Sequence, residues 1–135
     1  MKRKFQTLIT LTLMLSLFGA ALAALPPLSP EAQEQMASDI VVATVGKVEK
    51  STISVPGGTD TLFTMQLEVG QVEKGALKAG QSITATCQKT AQRPEGMVGP
   101  QGQNQIPAEG DKATFYLTRD GEGPYKLLQP NGWSK

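Results

Sequence analysis

Chemistry has few places to reside in this chain. Its 135 residues include no histidine and a single cysteine, Cys87. Without histidine the usual general base, any Ser-His-Asp arrangement and most metal sites are removed. One thiol makes neither a zinc cluster nor a dithiol redox pair. Two acidic pairs stand two residues apart, Glu109 with Asp111 and Asp120 with Glu122. Gly110 and Gly121 between them mark turns, where carboxylates are commonly solvated, and neither pair approaches the oxygen density that calcium needs. Met36, Met65 and Met97 are soft donors in principle, but they lack motif spacing, and copper is not expected. Gly99, Pro100 and Gly102 imitate a phosphate-cradling loop in composition only. No Gly-Lys-Ser/Thr follows them, and no strand-to-helix context surrounds them. The reading is a non-enzyme with no catalytic residue, no metal and no cofactor.

What remains are residues suited to recognition. Residues 91–106 are dominated by Gly, Pro, Gln and Asn, with Met97, Val98 and Ile106 as the larger apolar groups. A loop of that length in a small domain is either functional or a solvated excursion. If it is functional, Arg93, Met97 and Gln103 are its candidate contacts. Trp133 is the second candidate, with two readings: an anchor for a ligand, or a plug for one end of a barrel. Cys87 also has two readings. Ile83, Ala85 and Cys87 alternate with Thr84, Thr86 and Gln88, which places the thiol in the core. The competing reading is a thiol that links a partner.

These residues need elements to position them. Lys2, Arg3 and Lys4 precede an apolar run over residues 5–18, and Ala21-Leu22-Ala23 follows at signal-peptidase spacing. Residues 1–23 are read as a secretory signal peptide, too short and too cleavable for a stable span. Export to the periplasm or the extracellular space is expected, with no membrane span after cleavage. Loss of the three basic residues leaves 10 basic against 12 acidic, a net charge of about −2. That balance argues against nucleic acid, whose phosphates call for clustered Lys and Arg.

Residues 24–38 read as a Pro-rich spacer and a short helix, with Ser29-Pro30-Glu31 supplying a hydroxyl cap, a first-turn proline and an acid. Such a helix must dock on something to persist. From residue 39 the signal is β. Ile40-Val41-Val42-Ala43-Thr44-Val45 is apolar on both faces, which suits a central strand. Residues 56–60 form a turn cluster, and Phe63, Met65, Leu67 and Val69 then alternate with polar residues. Gly70 breaks the alternation and Val72 resumes on the other parity, as a bulge requires. Further strands are expected over residues 82–89, 113–118 and 125–129, and Pro130-Asn131-Gly132 turns the chain toward Trp133.

Five short strands with glycine-marked bends suggest an all-β domain over residues 39–135, with little helix: a five-stranded antiparallel OB-like barrel. Several segments, taken in order, resemble the netrin-like modules. They are Ser38-Asp39-Ile40-Val41-Val42-Ala43-Thr44-Val45, then Val69-Gly70-Gln71-Val72-Glu73-Lys74-Gly75, then Gly110-Asp111-Lys112-Ala113-Thr114-Phe115-Tyr116-Leu117. Those modules are OB-fold barrels that include the tissue inhibitors of metalloproteinases. The inhibitors reach a protease zinc through an amino-terminal cysteine. Here the expected mature terminus is Ala24-Leu25-Pro26, so the resemblance implies the scaffold and not the activity.

The expected function is an exported, non-enzymatic binding module of the cell envelope or extracellular space. It would recognise a protein or envelope component through the long loop and the adjoining barrel mouth. Two alternatives stand beside it: a secreted protease inhibitor of different mechanism, and a structural envelope component.

Overall fold

The run of β-branched residues from Ile40 opens β1 (Asp39–Val55), the strand around which the molecule is arranged. A computed structural model describes residues 26–94 and 102–135. The predicted signal peptide and Met97 lie outside the described residues. After α1 (Pro30–Met36) and β1 come β2 (Gly58–Lys74), β3 (Ser82–Gln92), β4 (Lys112–Arg119), β5 (Tyr125–Leu127) and β6 (Trp133–Ser134). The described chain is therefore mostly β, with one short helix.

The strands follow the order β1-β2-β3-β5-β4-β6, and an added β1–β4 pairing closes the first five into a ring. β1 holds a central place because its first half has two partners. Val41 and Ala43 pair with Val72 and Val69 on β2, and with Phe115 and Ala113 on β4. Two details depart from the sequence expectation. A sixth strand, β6, lies against β4, and β5 runs parallel to β3 through Ala85–Tyr125 and Thr86–Lys126. The expectation of five antiparallel strands is corrected there to six, with one parallel pair among mostly antiparallel ones. Side-chain alternation fixes which face is buried but not the direction of a non-consecutive neighbour.

The β1–β2 hairpin is long and bent. Pro56 and Gly57 alone turn the chain, since Val55 already faces Gly58. Gly70 is the unpaired residue between the partners of Val42 and Ala43, so the bulge lies at the parity break. A second irregularity, between Val45 and Val48, sets two residues against Gln66. Beyond it β1 leaves β4, and the outer halves of β1, β2 and β3 continue as a three-stranded sheet past the ring.

The core lies inside the ring. Val41, Val45, Met65, Leu67, Phe115 and Leu117 are fully buried there, each side chain contributing about 1.5–3 kcal/mol of transfer free energy. Cys87 sits in the same cluster, as its alternation predicts. Met65 is likewise core and not an available ligand.

A smaller cluster outside the ring explains how α1 persists. Ala37, Ile40 and Leu128 pack together, with Leu28 and Tyr116 against them. The Ser29 hydroxyl accepts from the Ala32 amide at 3.2 Å and caps the helix. Asn131 then latches the segment: its Oδ1 accepts from the Leu28 amide at 2.8 Å, and its Nδ2 donates to the Leu28 carbonyl at 3.0 Å. The buried Gln33 side chain donates to the Asn131 carbonyl at 2.6 Å. Among the described residues no helix is long and apolar enough to cross a membrane.

Candidate functional site

The polar segment after β3 reads as loop in sequence, yet its described part is a strap fastened to the ring. It leaves β3 through Arg93. That guanidinium donates to Asp60 Oδ1 at 2.7 Å and to the carbonyls of Thr59 and Gln92, each at 2.8 Å. Asp60 is nearly buried, so the charge pair is well shielded and pins the turn end of the β1–β2 hairpin to the end of β3. Arg93 thus spends its donors inside the molecule.

The chain returns at Gly102, which bridges to Lys89. Gln103 follows with 1% of its surface exposed. Its amide donates to the Gln88 carbonyl at 2.7 Å, and its Nε2 donates to the Pro130 carbonyl at 2.9 Å. Its Oε1 has no hydrogen-bond partner among the described residues. Asn104 donates to the same Pro130 carbonyl at 2.8 Å. The Gln105 carbonyl accepts from Trp133 Nε1 at 2.9 Å. Pro107 is buried, Glu109 Oε1 accepts from the Val48 amide at 2.9 Å, and the Gly110 amide donates to the Val45 carbonyl at 2.7 Å. Residues 102–111 therefore cross from β3 to β1 over the mouth of the ring.

Trp133 lies at that mouth. Its ring stacks on buried Phe115 with centroids 6.4 Å apart and planes 17° from parallel. It packs against the core while its N–H holds the strap, the geometry of a plug. Of the four recognition residues named from sequence, Gln103 lies on the strap, Trp133 holds it from β6, and Arg93 sits at its departing end. Met97 lies outside the described residues.

Between the strap and the extended sheet is an open hollow of about 430 Å³. Its apolar lining comes from Val48, Phe63, Ile106 and Pro107, and Lys50 and Lys89 line it as well. Lys50 Nζ stands 5.8 Å from the centre of the Phe63 ring, a cation–π distance. The charges around the hollow are unevenly satisfied. Lys47 pairs with Glu49 at 2.9 Å, which holds the Lys47 ammonium above its ordinary pKa, whereas Lys50 and Lys89 have no ion-pair partner among the described residues. Sequence reasoning missed Val48, Phe63, Lys50 and Lys89 as site residues. The available signal was Lys50 and Lys89 falling on the same face as Phe63, where alternation calls for apolar groups.

A larger cleft of about 550 Å³ lies between the start of β3 and the β4–β5 connection. Its Arg119 is already engaged, donating to the carbonyls of Gly123 and Glu122 and stacking 4.8 Å over Tyr125. That arginine serves as a clasp for its own hairpin. Among the described residues no three or more His, Cys, Asp or Glu side chains group to hold a metal ion. The Asp111 carboxylate, of the Glu109 and Asp111 pair, accepts from the Ala108 amide and pairs with Lys135, which together hold its pKa below the ordinary value. No protein-family model, curated protein or solved structure matches the chain.

Proposed function

We propose that the protein is an exported, non-enzymatic binding module on an OB-like barrel, which recognises a protein or envelope component at its mouth. The barrel reading is supported by the five-strand ring, closed through β1–β4, with β5 set between β3 and β4. Export rests on the sequence of residues 1–23. One observation carries the binding reading. The strap is fixed at every described turn, by Gln88, Pro130, Trp133, Val48 and Val45, and the hollow beside it stays open with two ammonium groups that have no ion-pair partner among the described residues. A rigid frame around an open, partly apolar concavity is how binding sites are ordinarily built.

The test is comparative capture from native envelope and culture medium. The mature protein is set beside two variants: residues 95–101 replaced by a Gly/Ser run of equal length, and Lys50→Glu with Lys89→Glu. Both variants leave Arg93 and residues 102–111 in place. The expected result is a component held by the parent and lost from at least the lysine variant, with circular dichroism unchanged. Equal retention by three folded proteins overturns the reading.

A further inference from the structure

The hollow has two kinds of surface, and together they specify a ligand class. Its lining includes a nearly buried phenyl ring with Val48, Ile106 and Pro107 around it. Such a surface gains by burying hydrocarbon. Lys50 and Lys89 add two positive charges without carboxylate partners among the described residues. One acid, Glu109, also lines the hollow; it gives one oxygen to the Val48 amide, and its charge contributes to holding Lys47 protonated. The described lining of the hollow therefore carries two ammonium groups against one carboxylate. A cation is disfavoured there, and a neutral hydrocarbon would gain nothing from either ammonium group.

We propose that this hollow takes an anionic amphiphile, one molecule at a time, of which a medium-chain carboxylate is the simplest member. The acid group is held by Lys50 and Lys89, and the chain lies on Val48, Phe63 and Ile106. The inference rests on the reading of the mouth as a binding surface. About 430 Å³ falls within the range of small-molecule sites, roughly 300–1,000 Å³. Lys50 is suited to the task because its ammonium stands 5.8 Å from the centre of the Phe63 ring, where the charge borders the apolar lining.

The experiment is titration of the isotope-labelled mature protein with decanoate below its aggregation concentration, followed through amide shifts of Val48, Phe63 and Ile106. Decanol tests the need for charge, and acetate the need for a chain. Decanoate is expected to move these amides saturably, with decanol and acetate each at least tenfold weaker. Lys50→Gln and Lys89→Gln should each weaken decanoate roughly tenfold, the loss of one charge-assisted contact. Both positions are exposed, and an unchanged spectrum elsewhere verifies the fold. Equal binding of decanol, equal binding of acetate, or no movement of the three amides overturns the proposal.

Failure of the two readings looks different. Absent decanoate binding, with partner capture still lost in the Lys50→Glu, Lys89→Glu protein, removes the ligand class and leaves the binding module. Capture indifferent to those lysines, with decanoate bound, removes the macromolecular partner and leaves the small-molecule site.

Discussion

At Cys87 burial has a consequence in solution. The thiol is in the ring core, and desolvation pushes its pKa up to about 12. In the unfolded chain it returns to about 8.5. Above that value unfolding releases a proton that the native state retains, so native stability falls as pH rises and levels off near 12. Cys87→Ala lacks this dependence. The stability difference between parent and variant, from urea midpoints, should therefore move steadily in the variant's favour between pH 7.5 and pH 10.5. A constant difference would count against a buried thiol. Alternation alone had placed Cys87 in the core, because strand period and side-chain type agreed. Gln103 was legible only as a polar loop residue. Its burial depends on the Pro130 carbonyl, 27 residues further on, reaching its amide, and no local pattern encodes that meeting.

The elements show the same division between local and distant causes. The helix cap, the turn at Pro56 and the bulge at Gly70 were all readable, because each is decided within a few residues. Strand β3 was expected to stop at Lys89 but continues to Gln92. The extra residues pair with β2, Thr90 with Asp60 and Gln92 with Thr59, and this end of the strand is flanked by Arg93 on Asp60 and by Gly102 on Lys89. The strap depends on that second contact. Gly102 has φ +78°, and a Cβ there would lie 2.3 Å from the Gln88 carbonyl oxygen, a backbone atom. Gly80 has a similar φ, +86°, with nothing within 4 Å. Both Ala variants carry the left-handed strain, roughly 1 kcal/mol or more, but only Gly102→Ala must also move the strap. Thermal melts should place Gly102→Ala clearly below Gly80→Ala. Coincident melts would mean the strap adds nothing to the stability of the ring.

For the whole molecule, the β class and most strand positions could be read from composition and period, while ring closure could not. The β1–β4 and β3–β5 contacts join strands far apart in sequence, and only the structure assigns them. The candidate site divides along the same line. The loop was visible as an interruption of pattern, whereas the hollow arises where the strap, β1, β2 and β3 converge.

The Asn131 latch on Leu28 carries one more implication, about the order of the chain. It puts the entry to α1 beside the last turn, so that Pro26 and Lys135 each lie only a few residues from a shared pair of hydrogen bonds. A linker of about six residues spans such a gap, and the sequence can be circularly permuted with new ends between Pro56 and Gly57. Native contacts are kept, but β1 and β2 become distant in the permuted chain. The near-ultraviolet signature of Trp133 on Phe115 should survive, while stopped-flow refolding slows several-fold as the main hairpin turns from a local closure into a long one. Unchanged refolding would show that the hairpin does not organise the rate-limiting step.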